Sequence, residues 1–175
     1  MLPNDTKVLH ASHQGVHVLR FVGEIRYTLS PALEQFITGL FSGLPPAGFV
    51  VDLTDTTSID STNLGLLADI AKRMRKCGGP PVILVSHRTE INEVLVSMGF
   101  NEVFTMVPNS ESDLAADHEL ELNETSDATT MASTLLKAHR TLMALNEHNR
   151  DQFHDVVSAL EEEITIASEH DNQSG

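Results

Sequence analysis

Two hydrophobic patterns alternate along the first hundred residues of the chain. Lys7 to His13 and Val16 to Val22 are short runs rich in β-forming residues, and Gln14-Gly15 between them predicts a hairpin turn that pairs the two strands antiparallel. Apolar residues at three- and four-residue spacing then predict an amphipathic helix that starts at Ser30-Pro31, with Ser30 as its N-cap. Phe49 to Leu53 is apolar enough to be a central strand buried on both faces.

The alternation continues beyond the central strand. Helical spacing returns from Leu64 to Met74, Val82 to Val85 predicts another buried strand, Thr89 to Met98 a third helix, and Val103 to Val107 a last strand. Strands that alternate with helices in this way are mainly parallel. The pattern therefore predicts an α/β fold with a mixed sheet and helices.

A different pattern follows the last strand. Residues Ser110 to Asp117 predict a short helix, and residues 118–128, with four carboxylates and no Lys or Arg, are interpreted as an acidic linker. We therefore expect a first domain over residues 1–117, a linker over 118–128 and an amphipathic helical extension over 129–175.

The helical extension has one apolar stripe. The polar residues Asn146-Glu147-His148-Asn149 interrupt it, as a bend, a hairpin turn or a polar layer in one long helix would do, and we favour one long helix. Isolated helices of this kind are marginal in water, so the stripe must pack on the domain itself, on a second copy of the chain or on a partner. It comprises Met131, Leu135, Ala138, Leu142, Leu145, Phe153, Val156, Leu160 and Ile164.

The net charge of −14 comes mostly from the C-terminal part of the chain. Residues 1–107 hold 8 Lys and Arg against 10 Asp and Glu, whereas residues 108–175 hold 3 against 15. Such an acidic surface argues against a nucleic acid as partner. With no signal peptide and no apolar run near the roughly eighteen residues of a membrane span, we expect a cytoplasmic protein without membrane insertion. Cys77, the only cysteine, excludes an internal disulfide and a cysteine-cluster metal site.

The segment FVVDLTDTTSIDSTNLGLL resembles the signature of STAS domains, specifically of the anti-sigma factor antagonists. In that branch a buried strand runs through an acidic loop into Asp-Ser-(Ser/Thr)-Gly-Leu-Gly, which here reads Asp60-Ser61-Thr62-Asn63-Leu64-Gly65. Gly23-Glu24-Ile25 and Met98-Gly99-Phe100 also fall where the family has similar residues, so the resemblance covers roughly residues 7–116. Where the family usually has glycine, this chain has Asn63, a residue type that tolerates unusual backbone angles.

The resemblance implies a STAS-type fold and a protein that signals by partner switching without a cofactor or bound metal. It places phosphorylation on Ser61, with Thr62 the less likely acceptor, and partner binding on residues Asp60 to Leu64. The implied partners are an anti-sigma factor or switch serine kinase, which binds the unmodified form, and a serine phosphatase. Physically, a serine at a helix start is exposed, its hydroxyl can cap the first turn, and free N–H groups there tolerate an anion.

Other interpretations of the same residues remain in view. Ser61 taken alone is an ordinary helix N-cap, with Asp60 as the alternative cap. A STAS module that serves a transporter or sensor as an adaptor would need no phosphate cycle. A hydrolase that uses Asp52 or Asp55 is disfavoured because no histidine accompanies them in the motif. His10, His13 and His17 lack zinc-binding spacing and are expected to be surface histidines.

Overall fold

A computed structural model describes residues 6–109, 116–124 and 127–174. In this part of the chain a six-stranded sheet has the order β5-β4-β3-β2-β1-β6. The strand β1 pairs antiparallel with β2 and β6, whereas β2, β3, β4 and β5 run parallel. The predicted α/β fold with a mixed sheet is confirmed. The strands are β1 (Lys7–His13), β2 (Val16–Ile25), β3 (Gly48–Ile59), β4 (Ile83–Val85), β5 (Thr105–Val107) and β6 (His118–Glu119).

Helices cover one face of this sheet. Alternate residues of the central strands, such as Leu19, Val51 and Leu84, point into the main hydrophobic core, which the helices complete. The intervening residues, including Val18 and Val50, form a smaller cluster on the opposite face. The helices are α1 (Ser30–Leu40), α2 (Ser61–Lys76), α3 (Thr89–Ser97), α4 (Phe100–Val103), α5 (Ala128–Met143) and α6 (Glu147–Gln173).

The first hairpin forms as its turn residues predict. Gln14 and Gly15 have φ angles of 50° and 80°. Positive φ at both central residues is what a type I′ turn requires, and this turn matches the twist of antiparallel strands. The register that follows places Lys7 opposite Val22 and His13 opposite Val16.

The strand β3 extends well beyond the predicted Phe49 to Leu53. It continues to Ile59 because β2 also continues, through Gly23 to Ile25, and pairs with it. Gly23 has a φ of 83° beside a shift in the register between the strands, and this irregularity lets the pairing continue. The acidic loop expected before Asp60 is therefore a strand, and that expectation was wrong.

Several shorter elements also differ from the sequence prediction. Helix α1 begins at Ser30 itself, with Leu29 as its N-cap, because a 3₁₀ turn over Tyr27–Leu29 leads directly into it. The Ser30 hydroxyl does not cap the helix and bonds to Asn63. Residues 100–103 are helical, so the last parallel strand is only Thr105–Val107. Within the expected linker, His118–Glu119 forms β6 on the edge of β1. The predicted helix from Ser110 to Asp117 falls mostly outside the described residues.

The C-terminal extension is a helical hairpin, not the single long helix that we favoured. Helix α5 ends at Met143, and the Asn146 side chain caps α6 by accepting a hydrogen bond from the Asn149 backbone N–H at 2.8 Å. Leu136, Val157 and Leu160 are buried between the two helices. The polar interruption seen in the sequence therefore marks a turn.

Candidate functional site

Asp60 joins the end of β3 to the start of α2 and fixes the geometry of the site. Its backbone N–H donates to the Ile25 carbonyl at 3.2 Å, which ties the junction to the sheet. Its carboxylate accepts from the backbone N–H and the side-chain amide of Asn63, each at 3.0 Å. Asp60 is therefore the N-cap of α2, and the Ser61 hydroxyl does not take that role.

Asn63 stabilises the first turn of α2 through its side chain. It is fully buried, and its Oδ1 accepts a hydrogen bond from the Ser30 hydroxyl at 3.2 Å. The residue lies inside the helix, and Gln14 is the one non-glycine residue with positive φ in the described part of the chain. Asn63 therefore does not adopt the unusual backbone angles that its residue type tolerates. Its amide instead connects α1 to the cap of α2.

The N-terminal half of α2 is buried on nearly all sides. Thr62, Asn63 and Leu64 are 4%, 0% and 1% exposed, and residues 65–68 are buried as well. A helix with one face on a sheet normally leaves its opposite face to solvent. The residues expected to bind a partner, Asp60 to Leu64, are therefore mostly covered, by α1 at Asn63 and by helix α5 at Ser61.

The Ser61 side chain is hydrogen-bonded to a histidine of that covering helix. Ser61 Oγ lies 2.9 Å from His139 Nε2, and the other ring nitrogen, Nδ1, lies 2.7 Å from the Leu135 carbonyl oxygen. Because a carbonyl only accepts, Nδ1 donates to it, and Nε2 of the neutral ring accepts from the Ser61 hydroxyl. Phe153 packs edge-on against the same ring at 5.3 Å. Ser61 is therefore partly buried. The expectation that it would be exposed was wrong.

Helices α2 and α5 approach each other most closely at Gly65. A Cβ atom placed there would lie 2.7 Å from the Ala138 Cβ and nearer still to the Ala138 carbonyl oxygen. Small residues at a crossing let two helix backbones come close together. Gly65 belongs to the family signature and Ala138 to the apolar stripe, but neither pattern indicates that the two residues are in contact.

The two carboxylates considered for catalysis have other partners. Asp55 forms an ion pair with Arg20 on the neighbouring strand, and its hydrogen bond is the main reason that the pKa of Arg20 is raised. Asp52 accepts from the Thr54 backbone N–H at 2.9 Å and from the Thr54 hydroxyl at 2.7 Å. Within residues 6–109, 116–124 and 127–174, no group of three His, Cys, Asp or Glu is placed to hold a metal ion.

His10 and His17 are not the surface histidines that the sequence suggested. They are partly buried, and His10 Nε2 lies 3.0 Å from His17 Nδ1. Burial lowers the pKa of both rings, and the neighbouring charges of His17 and then His118 lower the pKa of His10 further. His13 is exposed, as expected.

His139 is the residue of the site that sequence reasoning missed. It is separated from Ser61 by 78 positions and lies outside the segment that resembles the family signature. Its one available signal was its place directly after Ala138 in the apolar stripe. Only the fold shows that this part of the stripe faces Ser61.

The α/β domain has three features of a known family. They are the mixed sheet, the capped helix that follows the longest strand, and the serine at the start of that helix. The family model of the STAS domain matches residues 8–113. The chain belongs to the STAS domain family. The resemblance drawn from the sequence is thereby confirmed, and the α5–α6 hairpin lies outside the match.

Solved structures agree with this assignment, although no curated protein matches the chain. An anti-sigma factor antagonist from Mycobacterium paratuberculosis is 28% identical with a TM-score of 0.51, over 61% of this chain and 89% of that one. The NMR structure of the protein TM1081 is 21% identical with a TM-score of 0.50, over 56% of this chain and 78% of that one, and supports the fold alone. No helix in the described ranges is long and apolar enough to cross a membrane.

Proposed function

We propose that this protein is an anti-sigma factor antagonist that acts by phosphorylation-controlled partner switching. The observation that carries the proposal is the position of Ser61 at the first residue of α2, directly after the Asp60 cap. Support comes from the STAS family membership and from the structural similarity to an anti-sigma factor antagonist. The unmodified protein binds an anti-sigma factor or a switch serine kinase and thereby frees a sigma factor.

Phosphorylation of Ser61 ends this binding in the proposed cycle. The Ser61 oxygen attacks the γ-phosphorus of ATP held by the kinase, a new O–P bond forms, ADP leaves and the hydroxyl proton is lost. A serine phosphatase hydrolyses the ester and restores the hydroxyl. Because the ATP is cytoplasmic, we place the cycle in the cytoplasm.

The physical basis of the switch is charge. A phosphoserine adds about −1.5 to −2 units of charge and three acceptor oxygens at a helix start that already carries Asp60. If the unmodified helix start docks flush against the partner, burying that charge without a cation costs several kcal/mol, where each ~1.4 kcal/mol is tenfold in affinity. One modification is therefore enough to release the partner.

The Ser61–His139 pair resembles a nucleophile with its base, but we propose binding and not catalysis. Acyl or phosphoryl transfer would need a cavity beside the serine that admits a substrate. A cavity of about 1170 Å³ opens between α1 and α5, yet its wall consists of residues such as Pro31, Phe36 and Ser133 and does not include Ser61. The pair has a structural use instead, because it connects α2 to α5.

Substitution of Ser61 tests the proposed function. Ser61→Ala should bind the anti-sigma factor or kinase permanently, whereas Ser61→Asp should bind at least about tenfold more weakly. Ser58, an exposed serine on β3, supplies the matched controls Ser58→Ala and Ser58→Asp, which should bind like the parent.

Binding is measured by pull-down, and intact-mass analysis of protein from the native host should show one phosphate that maps to Ser61. Thr62→Val controls for the less likely acceptor. Equal binding by the Ser61→Ala and Ser61→Asp variants would refute the proposal. Co-purification with a transporter or sensor and no phosphate under any growth condition would favour the adaptor alternative.

A further inference from the structure

The α5–α6 hairpin occupies the face of α2 on which the proposed partner would dock. Ala138 crosses Gly65, His139 bonds to Ser61, and Leu142 and Phe153 are buried in the main core. These contacts fill the space beside the start of α2. An intermolecular partner and the hairpin therefore cannot use this face at the same time.

The closed arrangement also restricts access to the Ser61 hydroxyl, which is partly buried. Oγ is within hydrogen-bond distance of His139 Nε2, and the ring is held by the Leu135 carbonyl and by Phe153. His139 itself is only 5% exposed. A phosphoryl group on Ser61, or a kinase that takes up its hydroxyl, requires that this ring move away.

The two helices of the hairpin hold each other through contacts of their own. Its two helices share their own buried cluster of Leu136, Val157 and Leu160, and Arg140 donates to Glu161 across them at 2.6 Å. These contacts do not depend on the STAS domain. Local units with their own contacts open cooperatively, at less than the free energy of global unfolding.

Separate polar contacts hold the hairpin to the domain at two places. In the middle of α5, Glu34 of α1 accepts from the Thr134 hydroxyl at 2.7 Å and from Lys137 Nζ at 3.2 Å. At the turn, the Asn149 amide donates to the Met98 carbonyl oxygen at 2.9 Å. The apolar contact around Ala138 lies between these two attachments.

We propose that the α5–α6 hairpin is an intramolecular cover that competes with the partner for the α2 face, so that Ser61 is bound or phosphorylated only when the hairpin has moved away. The consequence for binding and phosphorylation rests on the proposed function, whereas the opening of the cover is testable without any partner. Once uncovered, the face fits a helix that, like α5, presents a small residue opposite Gly65.

Thiol reactivity measures this opening in the full-length chain. Ser61→Cys is placed in a Cys77→Ser background, because Cys77 is exposed and would also react. The probe is dithiodipyridine, and the rate of thiol modification is recorded. Ala138→Glu should raise that rate at least about tenfold, because a carboxylate opposite Gly65 opens the contact, and a group shielded by a cover reacts faster when the cover is open.

Two comparisons show whether a faster thiol reaction comes from opening of the contact between α5 and the domain. Ala159 is exposed on α6, so Ala159→Glu introduces the same side chain into the same hairpin and should leave the rate unchanged. Glu34→Lys should raise the rate about twofold, because the new cation faces Lys137 and no longer accepts from the Thr134 hydroxyl. Adding Lys137→Glu should reverse the part of the rise that comes from charge. Amide exchange of β2 and β3 shows whether the sheet stays folded.

The outcomes separate the cover from the proposed function. If the thiol introduced by Ser61→Cys reacts equally fast with and without Ala138→Glu while β2 and β3 stay protected, the cover does not exist. If Ala138→Glu accelerates the thiol reaction, yet the same substitution in the Ser61 protein binds no anti-sigma factor or kinase, the proposed function fails and the cover stands. Faster phosphorylation and tighter partner binding by Ala138→Glu would support both.

Discussion

At the scale of single residues, the start of α2 is held by side chains that bond inward. Asp60 caps the helix, Asn63 connects that cap to Ser30, and Ser61 bonds to His139. The bond between Ser30 and Asn63 is fully buried, so a group there that loses its partner cannot bond to water instead. Ser61 therefore lies in a small polar network and not on a free surface.

The bond between Ser30 and Asn63 should be visible as a coupling free energy. Both residues are fully buried, so Asn63→Ala should lower the free energy of unfolding by about 1–3 kcal/mol, because it leaves the Ser30 hydroxyl unpaired. Ser30→Ala should cost less, and the double variant less than the sum of the two. Urea denaturation of the four proteins measures the cycle, and strict additivity would contradict the bond.

Sequence reasoning proposed a site at the start of α2 but did not predict its surroundings. The resemblance to the STAS signature pointed to Asp60 and Ser61, and a local pattern predicted the buried strand and the helix start on either side of them. The roles of Asn63 and His139 depend on Ser30 and Leu135, which α1 and α5 bring to the site. No spacing along the chain encodes such a contact, because it depends on how helices pack in three dimensions.

At the scale of elements, local signals predicted the types of helix and strand well and their ends less well. Gln14-Gly15 gave the hairpin because the turn determines its own backbone angles. The far end of β3 was missed because its pairing with β2 past Gly23 outweighs the polar composition of residues 54–59. The two C-terminal helices were interpreted as one because Asn146, here a cap, is also an acceptable residue within a helix.

The crossing of α2 and α5 should respond sharply to one methyl group. Gly65→Ala places a Cβ atom against the Ala138 backbone, so α5 must shift, and the free energy of unfolding should fall by about 1–3 kcal/mol. Gly39→Ala is the matched control, because Gly39 lies within α1 with nothing within 4 Å of the added atom. That variant should gain up to about 1 kcal/mol from its better helix propensity. Urea denaturation that shows a gain for both would contradict the close crossing.

At the scale of the whole molecule, the charged residues and the groups with a shifted pKa are unevenly distributed along the chain. The net charge of −12 over residues 108–175 accompanies the hairpin and the segment before it, whereas residues 1–107 carry only −2. Among the carboxylates, hydrogen bonds from Thr130 lower the pKa of Asp127, the cap of α5. The histidines with a lowered pKa are His10 and His17 on the first β-hairpin, far from the acidic extension along the chain. As the pH falls, protonation of these two rings therefore affects the stability of the sheet.

Stability should decrease on mild acidification. Burial lowers the folded-state pKa of His10 and His17 below the ordinary value of 6.5, so the unfolded chain takes up protons first as the pH falls. Their contribution is complete above pH 6.5 and is lost below it. The melting temperature should therefore fall from pH 7.5 to pH 5.5, and His10→Phe should reduce that fall. The exposed residue His148 supplies the control His148→Phe, and an equal pH slope in all three proteins would contradict the assignment.

The covalent attachment of the hairpin has a quantitative consequence. Residues 120–127 join β6 to α5, so the hairpin competes for α2 at a local concentration that, for short connections, is on the order of millimolar. A free protein at about one micromolar must then bind this face roughly a thousandfold more favourably than the hairpin does in order to displace it. The hairpin would thus set a threshold of partner affinity and concentration, below which weak or scarce partners do not bind. A shorter or longer connection in place of these eight residues would change that threshold without changing the binding surface.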